Sequence, residues 1–563
     1  MIDRSISSLR TLRPAHDQDI FWFRDDLHQP CAISPMGMTT VQKHHAWGYH
    51  VAAEQTQLPP SKGAYVKIHK GRVYLGFALI EDEAEIGRRA VKFGVLTEHC
   101  KDHWDEFYND YIDEVKASLA TLAAVDADRL TNAHLLDHLK KAEEINRRNW
   151  EIHFILMYPA DAIYLEFEAF CKEHGVDEQG FVPMLSGFES KPAETDEELW
   201  SLALAARADG LEPVFRKAPI KELCPTLASH GEGRKWLDRF NDFLLAYGNR
   251  INAAHLDVIF PTWREDPVPV LDTIISFFRR MDDGWNLQVQ RDQVARLREE
   301  AVAAFEGKLP AAQLPAFRRL LAVAQKVYAY QEDHGFYIDQ GSTAALHNTL
   351  MACGRRLVKL GLLDQAEDVF FLVFTELVEI LDDIARHESV GVYHHKALVK
   401  PLVLERKELW ATVGELDAPL THGKVPERMT DPIAIKVFGI VDDVLHPKGE
   451  KTVSLQLEGF AASAGVVEGP ARVVIHFEDF SKVQSGEILI CPYTGTAWTP
   501  LFLKIAGVVT DTGGMLTHAA IAAREYGIPA VVGTWNATSS INDGDIVRID
   551  GGSGMVEILK RAA

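Results

Sequence analysis

Thr510-Asp511-Thr512-Gly513-Gly514-Met515-Leu516-Thr517-His518-Ala519-Ala520-Ile521-Ala522-Ala523-Arg524-Glu525-Tyr526-Gly527-Ile528-Pro529 is the stretch on which the reading of this chain turns. The apolar run Ile505 to Val509 before it reads as a buried strand. The glycine pair then permits a turn in which backbone approaches a ligand closely. Thr517 is placed as an N-cap, Ala519 to Tyr526 are good helix formers, and Gly527 with Pro529 supplies a stop. His518 therefore falls in a first helical turn, where free N–H groups and the positive end of the helix dipole favour an anion such as a phosphoryl group. With an ordinary pKa of about 6.5, its imidazole is largely neutral near pH 7 and is a nucleophile without a strong base beside it. On local pattern alone, one of 23 histidines standing at a helix start fits a capping role equally well.

Working outward, the same order of short segments continues on both sides. Upstream lie Ala462-Ser463-Ala464-Gly465-Val466-Val467-Glu468-Gly469-Pro470 and Gly486-Glu487-Ile488-Leu489-Ile490-Cys491-Pro492-Tyr493-Thr494. Downstream lie Pro529-Ala530-Val531-Val532-Gly533-Thr534 and Asp543-Gly544-Asp545-Ile546-Val547. Together with Gly513-Gly514-Met515-Leu516-Thr517-His518-Ala519-Ala520, this set resembles the phosphohistidine swivelling domain of PEP synthases, pyruvate phosphate dikinases and rifampin phosphotransferases. The resemblance implies that His518 is the phosphorylated residue, with Gly513, Gly514 and Thr517 forming its phosphate loop.

Strand-length segments at Ala471–His476, Glu487–Ile490, Ala506–Val509, Ala530–Val532, Ile546–Ile549 and Met555–Leu559 predict a compact α/β domain over residues 456–561. Earlier, apolar residues recur at helical spacing in Phe107–Leu122, Leu135–Met157, Trp236–Tyr247, Val270–Met281, Phe317–Tyr330 and Ala366–Ile384. The expected fold class is therefore multidomain: a large, mostly α-helical substrate domain followed by a small α/β swivelling domain. Residues 1–95 are irregular with a strand at Val73–Leu79, 96–411 form the helical acceptor domain, and 412–455, with four prolines, read as a linker.

A net charge of −22 argues against nucleic acid or an anionic membrane surface as a partner. Six scattered cysteines without C-x-x-C spacing, no apolar leader and no long apolar run point to a cytoplasmic protein with reduced thiols. No metal site is expected; the pair His44-His45 with His50 is weak support for one.

A phosphohistidine requires a donor and an acceptor. The chain shows no G-x-x-x-x-G-K-[ST] loop and no room for a barrel after residue 563, so ATP with Mg2+ is expected on a separate ATP-grasp-like subunit. The helical part resembles the substrate domain of rifampin phosphotransferases at Trp22 to Pro30, Tyr247-Gly248-Asn249-Arg250, Pro261 to Pro267, Gly354 to Leu357 and Asp368-Val369-Phe370. Two departures point away from the antibiotic as acceptor: Asn249 stands where those enzymes tend to carry His, and Gln331-Glu332-Asp333-His334-Gly335 replaces Arg-Glu-x-x-Lys. The layout is similar to the large subunit of phenylphosphate synthase and to the two-component systems that phosphorylate 4-cresol. That resemblance implies a small aromatic acceptor bearing a hydroxyl.

Phosphoryl transfer needs cations around the phosphoryl oxygens and a base for the acceptor hydroxyl. His334, amid Glu332 and Asp333, is the expected base, although a helix end beside Gly335 would explain the same pattern. Arg250 is the expected clamp. Arg264, Glu265, Arg355, Trp22, His28 and Tyr337 are the expected acceptor-binding residues. The alternative is a phosphocarrier or regulatory protein whose phosphorylated His518 addresses another protein.

Overall fold

The computed structural model describes residues 17–251, 256–414, 416, 418–446, 455–475, 477–495 and 498–562. They fall into two compact units, each assembled from separated stretches: Met1–Pro159, His255–Phe260 and Tyr337–Pro426 in unit 1, and Ala160–Ala254, Pro261–Phe336 and Glu427–Ala563 in unit 2. Residues 96–411, expected as one acceptor domain, thus contribute to both. Of the expected linker, residues 447–454 with 415 and 417 lie outside the described residues, and the rest is built into the two units.

Unit 1 has a four-stranded antiparallel sheet of β1 (Phe21–Arg24), β2 (Ser61–His69), β3 (Arg72–Leu79) and β4 (Thr421–Gly423), in the order β2-β3-β1-β4. β4 comes from the stretch expected to be linker, and pairs Trp22 with His422. The unit's apolar core draws on Trp150, Phe154, Leu350, Phe370, Leu377 and Leu381. The single helix expected over Ala366–Ile384 is broken. A 3-10 turn, Ala366–Phe371, precedes the helix Phe374–Arg386, because Glu376 turns back to accept from the Val373 N–H at 2.9 Å and fixes a fresh start there. His334 is the last residue of the α-helix Leu314–His334, as the helix-end reading expects, but the chain does not stop turning there: it passes into a π-helical turn, Gly335–Ser342.

Unit 2 combines a helical part with the α/β domain. Helices Lys191–Ala208, Gly231–Tyr247 and Val268–Asp282, with Leu287 at the start of Leu287–Glu306, build a core rich in aromatics, including Trp200, Trp236, Phe240, Phe277 and Phe278, and Leu314–His334 is a further helix of this unit. The α/β domain is an eight-stranded mixed sheet in the order β5-β12-β11-β7-β8-β9-β10-β6, with β5 Gln456–Glu458, β6 Phe460–Ser463, β7 Val466–Val473, β8 Ile488–Cys491, β9 Gly507–Thr510, β10 Ala530–Val532, β11 Ile546–Asp550 and β12 Met555–Lys560. β7, β8, β9 and β10 are parallel neighbours. β8 and β9 are buried at every position, as four-residue apolar runs in a covered parallel sheet should be. A multidomain molecule with a large helical part and a small α/β sheet domain near the C-terminus is therefore what this sequence builds.

Parallel register decides where the chemistry goes. Cys491 pairs with Thr510, so β8 and β9 end at the same edge and release their following loops side by side. One loop carries Thr494 and the other carries Gly513, Gly514 and His518. This edge, beyond the carboxyl ends of parallel strands, is where open α/β sheets place their ligands.

Candidate phosphohistidine site

His518 opens the helix His518–Tyr526, whose last turn closes on Gly527 at φ +64°. Thr517 has the extended backbone of an N-cap, but its hydroxyl donates to the Gly514 carbonyl at 2.8 Å and does not cap the helix. That bond folds the glycine loop back on itself. Gly513 holds φ +98°, and a Cβ there would meet the Thr517 side chain at 2.7 Å. At Gly514 a Cβ would stand 2.3 Å from the Lys436 carbonyl oxygen. The short helix Pro432–Lys436 and the residues after it lie on the loop, accepting from Gly514 N–H at the Val437 carbonyl (3.3 Å) and from Leu516 N–H at the Lys436 carbonyl (3.2 Å). Lys436 in turn pairs with Glu168 (2.9 Å) and Glu178 (2.8 Å) of the helical part.

The His518 ring is held from two sides. Nδ1 lies 3.0 Å from the Thr494 hydroxyl, and Phe502 meets the ring edge-on at 5.7 Å. The ring keeps part of its surface open but is deep enough in the fold that desolvation, and then the charge of Arg250, pushes its pKa down to about 3. The imidazole is neutral throughout the physiological range, which is the form a nucleophile needs.

Around His518, unit 2 forms a cleft of about 750 Å³ measured to its open mouth. Leu185, Phe188, Leu287, Tyr328 and Ile521 give it apolar and aromatic walls; Asp196, Arg291, Glu332, Glu525 and Tyr526 give it polar ones. Arg250 is 2% exposed, with its guanidinium 4.5 Å from the Trp263 ring and 5.5 Å from Phe336. Pairing of Ile251 with Thr262, and of the Arg250 carbonyl with Trp263 N–H at 2.9 Å, holds its backbone. Burial lowers its pKa to about 10 against the pull of Asp196, Glu332 and Tyr526, so it remains a cation. Burial, then repulsion by Glu525 and Asp333, raises the Glu332 carboxyl to about 8 despite Arg250. Asp196 is raised to about 6 by burial, against its bond from Tyr526 and the charges of Arg250 and Arg291. Glu525 is raised by burial while accepting from Gly187 N–H at 2.8 Å.

Of the residues singled out from sequence, His518 and Glu332 line the cleft, and Arg250 lies near enough for its charge to act on both. Asp333 accepts from Lys191 N–H at 2.7 Å, and His334 directs Nδ1 to the Tyr330 carbonyl at 3.1 Å, one turn back on its own helix. Arg264 donates to the Leu244 and Leu245 carbonyls, sealing the end of Gly231–Tyr247, while Glu265 accepts from the Thr262 N–H and hydroxyl. Trp22, His28, Arg355 and Tyr337 belong to unit 1. There Trp22 is buried beneath Lys67, His28 bonds the Asp25 carboxylate at 2.9 Å, Arg355 pairs with Asp128, and Tyr337 lies under Lys116. The histidine pair is split by its surroundings: His44 places its nitrogens on Asn146 and Glu143, while His45 is enclosed by Tyr49, Trp150 and Phe154.

Sequence reasoning missed Thr494, Asp196, Arg291, Glu525 and Tyr526. Glu525 was findable: it stands seven residues after His518, two helical turns along the same face. Thr494 lay in a quoted segment without a role, and nothing local marks Asp196 or Arg291.

Residues 483–554 match the family described as PEP-utilising enzyme, mobile domain. The chain carries a PEP-utilising mobile domain. Residues 151–332 match the rifampicin phosphotransferase fourth domain, so the cleft draws His518 from one matched segment and Asp196 and Glu332 from the other. An uncharacterised phosphotransferase of Bacillus subtilis, YvkC, is 27% identical over 550 residues, 97% of this chain and 63% of the relative. A rifampicin phosphotransferase of Streptomyces sviceus is 30% identical over 79% of this chain and 49% of the relative. The prodigiosin synthesizing transferase PigC of Serratia marcescens is 30% identical over 63% of this chain and 37% of the relative. The chain thus spans less than two thirds of the length of these curated relatives. Among the described residues, no helix is long and apolar enough to cross a membrane.

Proposed function

We propose that this protein carries a phosphoryl group on His518 and passes it to the hydroxyl of a small aromatic acceptor, a phenol or cresol. The observation that carries the reading is that a neutral His518 and the proton-poised Glu332 line one cleft, with the buried cation Arg250 close enough behind it for its charge to act on both. The mobile-domain match and the phosphotransferase relatives support it. A phosphocarrier that only addresses another protein has no need of that cleft.

In this reading the Thr494 hydroxyl engages Nδ1 and leaves attack to Nε2, which takes the phosphoryl group as the nucleotide departs. ATP, with Mg2+ on its phosphates, is held by an ATP-grasp-like subunit, and the mobile domain travels between that site and the cleft. Glu332, raised by burial to about 8, is mostly protonated near pH 7 and is a poor Mg2+ ligand there. In the second step the acceptor oxygen attacks phosphorus, the P–N bond breaks, and Glu332 takes the hydroxyl proton while Arg250 offsets the charge on the phosphoryl oxygens. The aromatic walls, Phe188, Tyr328 and Tyr526, suit a planar acceptor.

The test combines the protein, an ATP-grasp-like subunit encoded beside it, labelled ATP, and a panel of phenols and benzylic alcohols. Label is expected first on His518 and then on an acceptor. Label that stays on His518 with every acceptor refutes small-molecule transfer and favours the carrier.

A further inference from the structure

We propose that unit 1 holds a divalent transition-metal ion at Asp383, His394 and His395, independently of the phosphohistidine site. Asp383 lies on the helix Phe374–Arg386, and both histidines lie on the next helix, Glu388–Lys396. One ligand atom from each of the three falls within 4.8 Å of the others.

Adjacent histidines on a helix are by themselves weak grounds, because their side chains diverge. Three further features make this pair different. The first is the approach of the two helices. A Cβ added at Gly391 would stand 2.8 Å from both the Asp383 carbonyl carbon and the Ile384 nitrogen, so the backbones touch and only glycine allows it. That contact brings His395 Nε2 to 2.9 Å from the Asp383 carboxylate. The second is the state of the His395 ring, which is buried, with a side chain 2% exposed. Its Nδ1 is buried and has no hydrogen-bond partner among the described residues. The one polar contact of the ring is thus through Nε2 to a fellow member of the group, and an ion seated between them would take the Nε2 lone pair in place of that contact. The third is access: His394 is exposed and Asp383 is 42% exposed, so an ion reaches the group from solvent.

The donor set selects the metal. Two imidazole nitrogens and one carboxylate oxygen suit Zn2+, Ni2+ or Co2+, whereas Mg2+ and Ca2+ want oxygen throughout. With bonds of about 2.0 Å, tetrahedral ligand atoms stand about 3.3 Å apart, so Asp383 and His395 need open by only a few tenths of an ångström. Three protein ligands leave a remaining position for water.

The experiment uses the untagged full chain, stripped with chelator, titrated with Co2+ followed by visible absorption and with Zn2+ followed by calorimetry. One equivalent is expected, with a rise in melting temperature on Zn2+ addition. His394→Ala, at an exposed position that leaves the fold intact, is expected to weaken binding at least tenfold, as is Asp383→Asn. His99→Ala tests a different close histidine pair, the stacked His99 and His103, and is expected to leave binding unchanged. Absence of a stoichiometric ion in the wild type, or binding unaltered by His394→Ala or lost in His99→Ala, overturns the proposal.

Discussion

Replacing Glu332 by Gln tests the acceptor half of the chemistry most directly. The carboxyl titrates near 8 in the folded protein against an ordinary 4.5. One pH unit below that value, at pH 7, about one molecule in eleven has Glu332 ionised and able to take a proton; at pH 9 the ratio is reversed. Transfer from phosphorylated His518 to the acceptor should therefore rise about tenfold across pH 7 to 9, and the charge of the phosphoryl group moves the inflection upward if it moves at all. Loading of His518 should show no inflection at Glu332, and none from His518 itself above about pH 4. E332Q should lower transfer by about 10² to 10⁴ and flatten its pH dependence while His518 still becomes labelled. Stability provides a second reading with a definite sign. Between about 4.5 and about 8 the folded protein retains a proton that the unfolded chain releases, so stability falls as pH rises through that window. At about 1.4 kcal/mol per pH unit the ceiling is about 5 kcal/mol, and discounting for a side chain partly open to the cleft leaves about 2 kcal/mol. Denaturant unfolding from pH 5 to 9 should show this slope in the wild type and lose it in E332Q. An unchanged transfer profile in E332Q, or an inflection near pH 4.5, refutes the assignment.

Thr494→Val removes the hydroxyl facing His518 Nδ1 and should slow loading about fivefold, the worth of one hydrogen bond of about 1 kcal/mol, measured as label incorporated into His518. Gly514→Ala forces a Cβ against the Lys436 carbonyl and should cost about 2 kcal/mol in unfolding free energy while depressing loading more than T494V does. Lys436→Met leaves Glu168, whose side chain is 6% exposed, short of one cation and should destabilise unit 2 by about 3 kcal/mol, read from its unfolding transition.

The α/β domain was legible because each strand is a short apolar run bounded by turn residues, and Ala530–Val532 was placed to the residue. Amphipathic helices were legible for the same local reason. Neither signal says which distant stretches fold together, and so the interleaving of units 1 and 2 was hidden. Local chemistry also masked two breaks in regular spacing: Glu376 bonding back to Val373, and the π-helical turn after His334. At the site, His518 announced itself through glycine loop, cap and helix, and Arg250 through its neighbours Tyr247 to Asn249. Asp196 and Arg291 look in sequence like any charged residue on a helix; their role comes from lining the same cleft as His518, which one helix's pattern does not reveal.

The segment around Pro432–Lys436 has a bearing on how this protein is handled as a tool. It precedes the stretch that matches the mobile-domain family, yet it forms the floor on which the Gly513-Gly514 loop rests. A transplantable phosphohistidine cassette cut at residue 456 would leave that floor behind, whereas one cut near residue 427 would carry it along. The piece that swings and the piece that family boundaries delimit would then be different objects, with the parting line at the carboxylates of Glu168 and Glu178.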